Sequence, residues 1–189
     1  NCHLTVNTFS GGKKYISGNR CERGLGLGTE TEKVPNLHHF KRSYLNKIST
    51  KAVCVYPEPT RGIVGLPMAL GMYELAPFWH AFFTELGFEV HFSAQSNRKT
   101  YEKGQFTIPS DTACYPAKIM HGHIIELIEK GHKNIFYPSV TYNVNEHAGD
   151  NHFNCPVVAY YSELLRGNME ELKEVNFLYP YISIETPAE

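Results

Sequence analysis

Apolar and polar residues alternate over residues 4–9, cross Ser10-Gly11-Gly12, and alternate again through Lys14-Tyr15-Ile16-Ser17. A period of two on both sides of a glycine turn predicts a β-hairpin. From residue 18 to residue 59 the periodicity is lost. Gly24, Gly26 and Gly28 precede a polar, basic stretch over residues 38–51, which reads as a linker with one short helix. Near residues 57–61 the character changes, because Gly62-Ile63-Val64-Gly65-Leu66 is a short apolar run stopped by Pro67, the pattern of a strand buried on both faces.

Beyond that strand the period lengthens. Leu75, Phe78, Trp79, Phe82, Phe83 and Leu86 recur at three- and four-residue spacing before Gly87, which predicts an amphipathic helix with Pro77 in its first turn. Residues 88–92 alternate as a strand, and Ser96 is placed to cap a short helix ending at Gly104. Ile119, Met120, His123, Ile124, Leu127 and Ile128 mark a second long helix closed by Gly131. Residues 134–137, 156–160 and 181–184 read as further strands, with a helix over residues 162–169. Strands alternating with helices predict a Rossmann-like α/β domain over residues 61–189, a mostly parallel sheet with helices on both faces. A small β-hairpin module and linker, residues 1–60, precede it.

Composition narrows the function. The 18 basic and 19 acidic residues of this 189-residue chain leave a formal charge of −1, so no surplus positive charge is available to hold a phosphate backbone, and nucleic acid is not an expected partner. The longest apolar runs fall short of the ~20 residues a spanning helix needs, so no membrane is expected either. Five cysteines, at 2, 21, 54, 114 and 155, cannot all pair internally, and no Asn-x-Ser/Thr acceptor occurs. A reducing cytoplasmic setting is the simpler expectation. The chain opens Asn-Cys-His-Leu without an initiator Met, so it is expected to be part of something longer. Phosphate-loop, dinucleotide and nucleophile-elbow motifs are absent, which leaves an NTPase or hydrolase site unsupported.

Candidate chemistry concentrates late in the chain. Cys114, before Tyr115-Pro116, stands where a long helix should begin, and a thiol facing the positive end of a helix dipole suits a nucleophile or a metal-bound thiolate. A small, buried, inert cysteine is the alternative. His121 and His123 are two apart and therefore a poor pair for one metal on a helix; one core and one surface histidine are expected. Residues 138–154 form a long loop rich in Asn and His, with His147, Asp150, His152 and Asn154 leading to Cys155. Loops of that length in compact domains are functional or disordered. Cys155 is expected to precede a strand, which places it across the sheet from Cys114 unless the loop returns over the sheet end. Cys2 and Cys21 flank the hairpin, and with His3 and His38 they resemble half of a zinc or iron–sulfur knuckle. Cys54 reads as strand core.

Several stretches together resemble the acyl-CoA dehydratase activase-related family. They are Gly18-Asn19-Arg20-Cys21-Glu22-Arg23-Gly24, Gly71-Met72-Tyr73-Glu74 with Pro77-Phe78-Trp79, residues 82–87, Cys114-Tyr115-Pro116-Ala117-Lys118 with His121-Gly122-His123, and Asn151-His152-Phe153-Asn154-Cys155-Pro156. The resemblance spans nearly the whole chain. It implies the region accompanying the ATPase modules of large CoA-substrate-specific enzyme activases, proteins that serve 2-hydroxyacyl-CoA dehydratases. It further implies a Rossmann-like domain related to dehydratase subunits, in which Cys114 and Cys155 are candidate ligands of a [4Fe–4S] cluster and Cys2 and Cys21 belong to a further cysteine group. Zinc at Cys2 and Cys21 is the alternative metal. One departure is Ser139, where a cysteine is expected in many relatives. The implied partners are ATPase modules of the same polypeptide, a dehydratase client and acyl-CoA.

Three functions remain in play. The first is ATP-coupled, iron–sulfur-dependent electron transfer, with the loop over residues 139–154 lining a pocket and His147, His152 and Asp150 handling protons. The second is a non-catalytic docking domain working through a patch around residues 142–152. The third is a structural zinc module at the N-terminus attached to an inert α/β domain.

Overall fold

The computed structural model describes residues 3–18, 35–49 and 61–185. The chain divides into two compact units, Asn1–Lys41 and Arg42–Glu189. In the first, β1 (Thr5–Thr8) pairs antiparallel with β2 (Lys14–Ser17), Thr5 opposite Ser17 and Thr8 opposite Lys14. Gly11 and Gly12 turn the chain at φ of 87° and 76°, values that side-chain-bearing residues rarely adopt. Neither strand has a fully buried residue. The linker helix α1 (Leu37–Ser49) begins where the Asn36 side chain accepts the His39 N–H at 2.9 Å.

The second unit is an α/β sandwich. Its sheet runs β4 (Glu89–Phe92), β3 (Ile63–Leu66), β5 (Asn134–Phe136), β7 (Asn176–Leu178), all parallel, with β3 central as its double-sided burial requires. Between β3 and β4 lie the single turn α2 (Gly71–Glu74) and the aromatic helix α3 (Ala76–Glu85), with Pro77 in its first turn. Helices α4 (Arg98–Gly104) and α5 (Tyr115–Glu129) join β4 to β5. The route from β5 to β7 passes through β6 (Ser139–Tyr142) and α6 (Pro156–Asn168), and β8 (Tyr181–Ser183) returns to pair parallel with β6. The step from β3 to β4 runs opposite to the later steps, so right-handed crossovers put α3 on one face and α5 and α6 on the other. Leu66, Met120, Ile124, Leu127, Ile135 and Leu165 are fully buried between these layers, while Trp79 and Phe83 meet Phe136 edge-on at centroid distances of 4.8 and 4.9 Å.

The α/β class, the hairpin, β3, α3, β4, α5 and β5 stand where the hydrophobic pattern puts them. Three expectations are corrected. Residues 156–160 are the first turn and a half of α6, not a strand; Pro-Val-Val-Ala-Tyr has strand composition, but Ala159, Ser162 and Leu165 face the core at helical spacing. The fourth strand of the sheet is instead β7. Asn97, not Ser96, caps α4, its side chain accepting the Lys99 and Thr100 N–H groups at 2.8 and 3.2 Å. His121 and His123 are both fully buried rather than split between core and surface.

The pair is buried because α4 crosses α5 at two glycines. A Cβ on Gly122 would lie 1.7 Å from the Thr100 carbonyl oxygen, and one on Gly104 2.3 Å from the Gly122 nitrogen. Backbones that close leave the flanking imidazoles no route to solvent. His123 binds Ser93 Oγ and Ser96 Oγ, each at 2.8 Å, which is the work Ser96 does in place of capping.

Candidate functional site

In a parallel sheet each crossover helix runs back against the strand it feeds. The N-termini of α5 and α6 therefore both stand at the carboxyl end of the sheet, where ligands of such folds bind. Cys114 is the N-cap residue of α5 and Cys155 that of α6, and each is followed by a proline in the first turn. This removes the geometric obstacle, since Cys155 leads into a helix and not a strand. Both thiols are free and exposed, and neither side chain makes a capping hydrogen bond.

The strand order reverses direction between β3 and β5, and a crevice of about 590 Å³ opens at that switch point. Its walls come from Leu70, Met72, Glu74 and Leu75 after β3, from Tyr137 and Val140 after β5, from the loop following β6, and from Val158 in the first turn of α6. The loop is held over the crevice by the Tyr142–Phe153 bridge, with the Asn143 N–H donating to the His152 carbonyl at 2.9 Å and the Asn154 N–H to the Thr141 carbonyl at 3.0 Å. It thus returns across the sheet end. Leu70 enters the crevice wall with φ of 51° and ψ of −139°, a strained backbone for a residue with a side chain.

The three candidate proton handlers separate. His152 lines the crevice, its ring set edge-on against Tyr142 at a centroid distance of 5.8 Å. His147 and Asp150 are exposed on the outer part of the loop and do not line it, His147 having a left-handed backbone at φ 57°. Asn154 and Val158 border the crevice on either side of Cys155. Ser139, where a third cysteine is expected in relatives, is fully buried and shares a 2.5 Å hydrogen bond with Ser162 of α6. Cys2, Cys21 and Cys54 lie outside the described residues. Among the described residues no group of three or more His, Cys, Asp or Glu side chains gathers as a metal site.

A polar chain that the sequence does not advertise runs beneath the two helix N-termini. Thr107 Oγ1 donates to the Gly104 carbonyl at 2.9 Å, so it accepts the proton of His121 Nδ1 at 2.8 Å; His121 Nε2 is then bare and accepts from Tyr161 at 3.0 Å. Burial pushes the Tyr161 hydroxyl up to about 12, and the nearby Cys114 adds to this, which brings Cys114 within electrostatic reach of α6. Tyr137, raised first by burial and then by Tyr161, keeps a buried hydroxyl without a partner among the described residues. Burial holds both His121 and His123 down at about 4, so they are neutral hydrogen-bonding groups. Only their placement around Gly122 signals this in the sequence.

The sequence profile of the CoA enzyme activase uncharacterised domain matches residues 63–189, from the first residue of β3 onward. The chain belongs to that family. The match covers the whole sheet, the crevice and both exposed cysteines. No curated protein and no solved structure matches the chain. Among the described residues no helix of this activase domain is long and apolar enough to cross a membrane.

Proposed function

We propose that this activase domain takes part in ATP-coupled, iron–sulfur-dependent electron transfer for 2-hydroxyacyl-CoA dehydratase-like systems. The observation that supports the reading is the placement of Cys114 and Cys155 as the exposed N-caps of α5 and α6, both at the carboxyl end of one sheet. Thiolate is the form of cysteine that binds metal, and both thiols are exposed. A [4Fe–4S] cluster takes four protein ligands in its common form. The described residues offer two, and the others fall to a partner chain, with substrate able to occupy one position.

A cluster bound there supplies one-electron transfer. The chain's own residues supply the rest: the crevice beside Cys155 receives the acyl part of a CoA thioester, the loop over residues 143–154 shields it, and His152 holds a proton at the crevice wall. The ATPase modules that drive such a transfer belong to the same polypeptide in this reading, and a reducing cytoplasm keeps the thiols free. Anaerobic purification and reconstitution of the chain tests the proposal. Expected are iron and sulfide at about four each per chain, with loss of most of both in Cys114→Ser and in Cys155→Ser. Iron content unchanged in both variants overturns it, and zinc alone would point to a structural site at Cys2 and Cys21.

A second reading is a non-catalytic docking domain that links the activase ATPase to its client. One observation favours it: Phe153 is 65% exposed and Val144 46% exposed at the crevice rim, an unusual display of apolar surface on a polar loop. In this reading both cysteines are dispensable and Phe153→Ser abolishes client binding.

A further inference from the structure

On the other side of α5, far from its N-cap, two imidazoles form a chain whose proton count is fixed by its ends. His132 Nδ1 is 3.0 Å from the Leu127 carbonyl oxygen, His132 Nε2 is 2.9 Å from His91 Nδ1, and His91 Nε2 is 2.7 Å from a carboxylate oxygen of Glu89. The carbonyl and the carboxylate only accept, so three hydrogen bonds along this chain require three N–H groups. Two neutral imidazoles have two between them. The third must come from an additional proton on the pair.

We propose that His91 and His132 carry one shared extra proton and form a pH-sensitive latch tying the edge strand β4 to the turn between α5 and β5. With the proton present, all three hydrogen bonds are made and the positive charge lies against Glu89. Without it, one of the bonds has no hydrogen, and two lone pairs, or a lone pair and a carboxylate, face each other at hydrogen-bond distance. His132 is the buried member of the pair, 9% exposed, whereas the His91 side chain is 39% exposed. The moving part is therefore His91, and with it the edge of the sheet.

Among the described residues the charges around the pair are few. Glu89 shares β4 with His91, Lys130 and Lys133 lie in the α5–β5 turn, Glu126 of α5 is paired with Lys130 at 2.5 Å, and Glu129 is paired with Lys103 of α4. Strands β3 and β5 contribute none. Burial, and then the charges of His91 and Lys130, hold His132 below the usual histidine range against the pull of its backbone bond; of the two rings it is His91 that touches the Glu89 carboxylate.

Long-range ring-nitrogen spectra of the ¹⁵N-labelled chain between about pH 5 and pH 8 test this directly. Below the midpoint His91 is expected to show both ring nitrogens protonated while His132 is protonated at Nδ1 alone. Above it, His91 becomes a single tautomer and the amides of β4 exchange faster than the rise in hydroxide accounts for. Glu89→Gln, a substitution at an exposed position, is expected to lower that midpoint by about one pH unit, and His91→Gln to remove the pH-dependent step in β4 exchange. A pair that keeps one protonation state across the range, or a Glu89→Gln variant that titrates as the wild type does, overturns the latch. The readout does not depend on whether the domain binds a cluster.

Discussion

At the scale of single residues, buried histidines set the response to acid. His121 and His123 are fully buried and held down at about 4 by burial, with Glu126 partly opposing this at His123. A lowered folded value means the neutral form is the one that folds, so their contribution is complete above the unfolded value near 6.5 and is lost as pH falls toward 4. Each is expected to remove on the order of 3 kcal/mol over that interval. Burial of His132 and His80 acts in the same direction. Urea unfolding at pH 7 and at pH 4.5 checks this, and equal midpoints would mean that the imidazoles reach water more easily than their surroundings indicate. Gly122 offers a sharper test. Gly122→Ala places a Cβ against the Thr100 carbonyl, at 1.7 Å in the unrelaxed geometry, and α4 must lift off α5 to admit it. A loss of about 3 kcal/mol or more is expected in thermal or chemical melting, whereas a loss below ~1 kcal/mol would show that α4 slides at little cost.

At the scale of elements, the longest periodic segments were readable and the shortest were not. Helices α3 and α5 carry enough turns for their aromatic and aliphatic stripes to declare a period, and β3 is announced by the apolar run before Pro67. Strand β7 is three residues, Asn-Phe-Leu, too few to show alternation, and β6 lies inside what reads as a loop. The misreading of residues 156–160 has a physical cause, since β-branched and aromatic residues at the start of a helix resemble a buried strand until the burial rhythm further on is known. For the site, the two cysteines, His152 and the loop were visible from residue type and position. The switch-point crevice was not, because it depends on the order of strands in the sheet, nor was the exclusion of His147 and Asp150 from its wall. The loop is held mainly by backbone bonds and by Asn154, whose side-chain amide donates to the Val140 carbonyl at 2.9 Å. Asn154→Ala is expected to cost about 1 kcal/mol and to speed proteolysis within residues 143–152 well beyond any effect on the rest of the chain.

At the scale of the whole molecule, an all-parallel sheet is stable when both faces are covered. One face here has α5 and α6. On the other, α3 spans only part of the width, leaving an apolar groove of about 490 Å³ between Phe82, Phe83 and Phe136 on one side and Leu178 with Pro180 on the other. Phe78, Phe82 and Leu178 are 49%, 44% and 38% exposed beside it. A hydrophobic dye is expected to bind the folded chain there, and Leu178→Lys to reduce that fluorescence several-fold while the melting temperature stays within a few degrees. The hairpin stands at the opposite extreme, with neither of its two strands containing a fully buried residue. Heat taken up on melting comes from side chains leaving a close-packed interior. Calorimetry should therefore register the activase domain almost alone, and a chain trimmed of the hairpin should absorb nearly the same heat at nearly the same temperature.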